Sequence, residues 1–290
     1  MIISLEVPKS SIEQNLDDLR WREIFILIAG LLRHGDEFLK LMEEKLQSYN
    51  YLNTPKLRGI AKWVAQAAND SGEKHRPVIK RAALYSFINI IFYEQRDLDK
   101  PHAYRVNHLL NALSPNLFSI IWDLGFPSVI ADSDFDDFNG RITYPEQTNK
   151  YLPLINDKHS LEFACNLVRK FEENKIFRNL DYQNLILKLE ALQDEAPIND
   201  LADLAGSATR EGYLFYVNCI RQVWLEYLDF QEEWLDLPYE ESYALANYLY
   251  ISELIVRCKE ATVHVSEGVW REIEDRILTD IVSEPPNNMP

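Results

Sequence analysis

Residues Arg20 to Leu32, RWREIFILIAGLL, constrain the fold most. Trp21, Ile24, Phe25, Ile28, Leu31 and Leu32 recur at the spacing of one helical face, and Ile26, Leu27 and Ala29 fill the other side. The pattern predicts a helix covered all round by neighbours, with the rest of the chain organised around it. No residue in it can do chemistry. The uncharged run from Ile24 stops at Arg33, far short of the ~20 residues that span a bilayer.

Helical patterning continues along the chain. The glycine at His34-Gly35 closes the first helix, and a second over Asp36 to Ser48 carries Phe38, Leu39, Met42 and Leu46 on one face. With almost no loop between them, the pair is expected to form an antiparallel hairpin. Further helices are predicted over Lys56 to Asn69, Val78 to Tyr93, Pro101 to Leu113 and Pro115 to Leu124. After an interruption they resume over Leu161 to Phe177, Tyr182 to Gln193, Ala208 to Phe230 and Pro238 to Cys258. Ser266 is placed to N-cap a last helix running to Ile281. Strand-type alternation is scarce and no solenoid period holds, so the fold class is all-α, an irregular array of stacked antiparallel helices.

The interruption suggests the domain plan. Pro127, Pro145 and Pro153 break helix, and Ala131 to Gly140 (ADSDFDDFNG) is acidic and turn-prone. The expected organisation is an N-terminal extension (1–19), a first helical half (20–125) and an acidic, proline-containing linker or long loop (126–160). A second helical half (161–282) and a disordered tail (283–290) complete it.

Composition narrows the function classes. The net charge is −16, from 46 acidic and 30 basic residues, and such a surface repels phosphate backbones and anionic lipid. Neither nucleic acid nor membrane is expected as a partner. A small basic cluster, Lys74, His75, Arg76, Lys80 and Arg81, reads as a solvated helix start in preference to a phosphate or partner site. Cys165, Cys219 and Cys258 are odd in number, far apart and set in apolar helical patterns, as buried free thiols of a reducing compartment would be. With no signal-like N-terminus, the expected location is cytoplasmic.

The sequence shows no local catalytic or cofactor signature. Gly30 and Gly35 have phosphate-loop spacing, but Asp36-Glu37 stand where Lys then Ser or Thr would be needed. Asp99 precedes His102 by three residues, half of a carboxylate metal motif at most. A calcium loop begun at Asp132 would need Gly at 137 and Glu at 143, where Asp137 and Thr143 stand. No nucleophile elbow occurs, and Trp63, Trp122, Trp224, Trp234 and Trp270 read as core. The expectation is therefore no catalytic, metal or cofactor site.

Two stretches carry a resemblance. Asp17 to Leu32 (DDLRWREIFILIAGLL) resembles the start of the C-terminal helical region that follows the NTPase core in bacterial, notably cyanobacterial, NACHT proteins of the STAND class. Tyr243 to Leu249 (YALANYL), continued through Leu254, Cys258, Val265-Ser266, Val269, Ile273 and Leu278, resembles that region's closing helices. The structural signature comprises Arg20, Trp21, Arg22, Glu23 and Phe25 at one end and Ala246, Asn247, Cys258, Ser266 and Ile273 at the other.

This resemblance implies a multidomain switch, in which an NTPase core hydrolyses a nucleoside triphosphate and the C-terminal part senses a trigger and controls oligomerisation, in many members for defence against phage. The chain departs from the full pattern by lacking a phosphate loop, an effector domain and a Phe-Gln-Glu-Tyr-like motif before Arg20. The resemblance thus implies a non-catalytic sensor or regulatory region, a fragment or a separate gene product. Its partner would be a NACHT-type NTPase core, in cis or in trans, or a protein trigger. The rival reading is a stand-alone helical adaptor. An enzyme assembled from distant residues such as His102, His108 and Asp123 is the third.

Overall fold

Eleven α-helices and two short 3-10 turns account for most of the described residues, which are Ile12 and 14–68, 74–88, 102–125, 157–195, 210–235 and 237–279 of a computed structural model. The only extended pairing among them is one isolated bridge between Ala68 and Phe177. The all-α class holds, and the helices pack on one another.

In chain order the helices are α1 (Arg22–Leu31), α2 (Asp36–Ser48), α3 (Pro55–Ala67), α4 (Pro77–Ile88), α5 (His102–Leu113) and α6 (Pro115–Gly125). They continue with α7 (Asp157–Glu173), α8 (Tyr182–Glu195), α9 (Arg210–Leu228), α10 (Tyr239–Ala261) and α11 (Glu267–Arg276). The acidic stretch holding Asp132, Asp134, Asp136 and Asp137, and the tail 283–290, lie outside the described residues.

Local chemistry explains the boundaries. Thr54 caps α3 by accepting from the Leu57 N–H at 3.3 Å, with Pro55 opening the helix where its missing donor costs nothing. Asp36 and Glu37 occupy the first turn of α2, where the helix dipole favours carboxylates. Pro238 stands at the start of α10, with Glu240 and Glu241 in its first turn and Lys259 in its last.

The chain divides into two compact units that do not follow chain order. The first joins 1–118, 175–179 and 231–290; the second joins 119–174 and 180–230. In the second unit α7, α8 and α9 pack mutually, burying Leu167, Val168, Phe171, Leu185, Leu189 and Trp224. Arg169 and Glu190 tie α7 to α8 at 3.0 Å on the surface.

The first unit is organised by α10, which corrects the expectation that α1 plays that part. Its neighbours are α5, α1 and α2. From Tyr248 to Val256 every α10 residue is buried, so the helix is enclosed on all sides. Helix α1, in contrast, lies at the surface. Phe25 and Ala29 are buried, while Ile24, Leu27 and Leu31 are exposed, Leu27 to 66% and Leu31 to 72%. The expected all-round cover is thus absent, because α10 meets only one side of α1.

Both helices of the expected α1–α2 hairpin pack on α10. Gly35 redirects the chain between them. Its N–H donates to the His264 carbonyl at 3.0 Å, and a Cβ there would stand 2.6 Å from Thr262 Cγ2, so only glycine permits this approach.

The basic cluster is a solvated helix start only in part: Lys74 and Arg76 are exposed and His75 is half-buried. Lys80 and Arg81 are buried in α4, which is enclosed from Val78 to Ile88. Arg81 donates to the carbonyls of Glu274 at 2.6 Å and Ile277 at 3.2 Å, serving the open C-terminal end of α11, and Arg76 pairs with Glu274. Arg76 and Arg81 are thus engaged in helix packing. Ser266 does stand at the N-cap position of α11, but its hydroxyl and N–H both donate to Asp36, and the helix ends at Arg276 instead of Ile281. Cys165 and Cys258 are buried and Cys219 is half-buried, and none of the three is in a disulfide.

Candidate functional site

The two ends of the chain that carry the resemblance meet where α1 packs on α10. Glu253 lies in the middle of α10, in the apolar run YLYISELIV, with its side chain only 2% exposed. A carboxylate there is tolerable only if cations are brought to it. Arg22 on α1 donates Nη2 to Glu253 Oε1 at 3.2 Å, and Arg257, one turn on in α10, places Nε 3.6 Å from the same oxygen. Each arginine also reaches an outer carboxylate: Arg22 to Glu23 at 2.8 Å and Arg257 to Glu260 at 3.6 Å.

Helix α5 adds two more groups. Arg105 lays its guanidinium over the Tyr250 ring, with Cζ 5.0 Å from the centroid, a cation–π contact. Burial holds Arg105 below its ordinary range, opposed by the negative charge of Glu253. His108 is held below 6.5, first by burial and then by the positive charge of Arg105, Arg22 and Arg257, against the pull of Glu253. Burial also pushes the Tyr250 hydroxyl up, with Arg105 and Arg22 pulling the other way. For Arg22 burial alone would lower the pKa, but Glu253 and Glu23 together raise it.

The signature residues occupy varied positions. Arg20 is exposed and pairs with Asp18 at 2.7 Å. The Trp21 ring is half-buried, 6.2 Å from that of Phe25, and Glu23 is exposed. Phe25, Ala246, Cys258 and Ile273 are core, Asn247 is half-buried, and Ser266 holds Asp36 across to α2. Only Arg22 among them enters the ionic cluster. Sequence reasoning missed Arg105, Tyr250, Glu253 and Arg257. A usable signal was present in Glu253, a lone carboxylate inside an apolar run. Of the residues suggested for an assembled enzyme, His108 belongs to the cluster, and the side chains of His102 and Asp123 lie outside the described residues.

Residues 185–280 match the family model of the NACHT C-terminal Helical domain 2. The resemblance to the C-terminal helical region of NACHT proteins is confirmed over that segment. The matched residues run from α8 through α11, so the closing motif lies inside the match and Asp17 to Leu32 lies outside it. The matched domain is a helical C-terminal domain of NACHT proteins and not their NTPase core. No curated protein and no solved structure matches the chain. Among the described residues no helix is long and apolar enough to cross a membrane, and no three His, Cys, Asp or Glu side chains gather in a metal-binding group.

Proposed function

We propose that this chain is a non-catalytic sensor or regulatory region that acts by packing against a NACHT-type NTPase core, in cis or in trans. The observation that carries the reading is the apolar stripe of Ile24, Leu27 and Leu31 on α1, exposed on a helix whose opposite side is fixed to the NACHT-family helix α10. Large apolar side chains left in a row at helical spacing fit a helix-in-groove contact. The NTPase core is the occupant this reading commits to, because the matched family takes its name from its place C-terminal to NACHT. Binding that prefers one arrangement of the core would shift its equilibrium between closed and assembled states. A role in bacterial defence or signalling would follow from that switch.

The test is co-purification of the chain with the NTPase core encoded upstream of it or beside it. The Leu27→Asp, Leu31→Asp double variant should fold with unchanged helicity by circular dichroism and lose the core. Retention of the core by the double variant would remove α1 as the contact. A wild-type chain that captures no NTPase core would favour the stand-alone adaptor.

A further inference from the structure

We propose that His34 and His264 form a two-histidine binding site for a divalent transition-metal ion of the zinc class. Their ring centroids lie 5.3 Å apart at an interplanar angle of 87°. Two imidazoles sharing one tetrahedral ion, each through a nitrogen at ~2.0–2.1 Å, have centroids roughly 5 Å apart. The rings therefore already stand at a chelating separation. Both residues are exposed, and among the described residues neither ring makes a hydrogen bond or an ion pair. A nitrogen lone pair on each is free, and rotation about χ2 can turn it toward a shared ion without moving the backbone.

The backbone holds the pair in place. The Gly35 N–H, next to His34, donates to the carbonyl of His264 itself at 3.0 Å. One residue further, Asp36 accepts from the Ser266 N–H at 2.7 Å and from the Ser266 hydroxyl, across 230 positions of sequence. The imidazoles thus project from two turns, α1–α2 and α10–α11, that are fixed to each other. Ligands ordered in advance spare an ion much of the entropy cost it would meet on a loose surface. The Asp36 carboxylate and the net charge of −16 favour a cation there. Imidazole nitrogen selects zinc, copper or nickel, whereas magnesium and calcium prefer oxygen. With two protein ligands the ion keeps its remaining positions for water, and it clamps the α10–α11 turn to the start of α2.

Titration calorimetry of the full chain with zinc chloride, in a buffer that does not chelate the ion, tests this. Saturable binding of one ion is expected with a Kd of about 10–100 μM, weaker than a four-ligand structural site. His34→Gln and His264→Gln should each weaken that event at least about tenfold. Both positions are exposed, so the variants keep the fold, which circular dichroism checks. Thermal unfolding gives a second readout: roughly 1 mM zinc should raise the Tm of the wild type and leave that of either variant nearly unchanged. Magnesium run in parallel should not compete, because an acidic surface alone would accept it as readily. No saturable heat up to roughly 1 mM zinc, an unchanged affinity in either variant, or displacement by equimolar magnesium would overturn the site.

Discussion

Arg22 Nη2 and Glu253 Oε1 lie 3.2 Å apart across 231 positions of sequence, joining α1 to α10, the helix that organises the larger unit. The pair is asymmetric: the glutamate side chain is 2% exposed and the arginine 32%. Removing the buried partner is therefore the more damaging change. Glu253→Gln leaves Arg22 and Arg257 without their shared carboxylate. A loss of about 3 kcal/mol is expected, below the top of the range for buried pairs because the arginines keep contact with water. Urea unfolding measures it, and a change under about 0.5 kcal/mol would mean the charge is not needed there.

The two sides of α1 should respond oppositely to truncation. Phe25 is fully buried, and Phe25→Ala should cost about 3–5 kcal/mol through lost burial and the cavity left behind. Leu27 is 66% exposed, and Leu27→Ala should stay within about 0.5 kcal/mol. Thermal unfolding of the two variants side by side gives the answer. Comparable losses would show that both sides of α1 are covered.

Two helical glycines give a second contrast. A Cβ on Gly59 in α3 would stand 2.7 Å from Cε2 and Cζ2 of Trp234, and a rigid ring cannot yield as a flexible chain end can. Gly59→Ala should therefore destabilise by about 1–3 kcal/mol despite alanine's better helix propensity. Gly268 in α11 has nothing within 4 Å of its would-be Cβ, so Gly268→Ala should stabilise by about 0.5 kcal/mol. A stabilising Gly59→Ala would place Trp234 elsewhere.

His108 supplies a pH dependence with a definite sign. Its folded-state pKa lies below the ordinary 6.5, chiefly through burial, so the unfolded chain takes up a proton first as pH falls. Its contribution is complete above pH 6.5 and declines as pH drops from there through the folded value. His108→Gln should flatten the stability profile between about pH 7 and 5, measured as urea midpoints in a buffer series. An unchanged slope would show that other groups set it.

Much of the fold was legible because helical periodicity is a local property. Phe38, Leu39, Met42 and Leu46 mark the buried side of α2, and Leu57, Ile60, Ala61 and Val64 that of α3, as their spacing indicates. The same reasoning failed on α1, where apolar residues occur on every side and periodicity alone cannot tell a covered face from one left open. It failed on Lys80 and Arg81 for the opposite reason. Cations are ordinarily exposed, and the carbonyls at the end of α11 help make it favourable to bury Arg81.

The sequence by itself determined the helices, most of their ends and, through its closing motif, the likeness of residues 185–280 to the NACHT C-terminal Helical domain 2. Propensity, caps and apolar spacing act over a few residues, and a family pattern is read in chain order. The tertiary structure alone decided that α10 is the organiser, that α1 keeps an open apolar stripe, and that Arg22, Arg105, Tyr250, Glu253 and Arg257 come together. Burial of one carboxylate is a constraint on whatever lies beside it in space. Those neighbours come from α1, α5 and α10, and no local rule links positions so far apart along the chain.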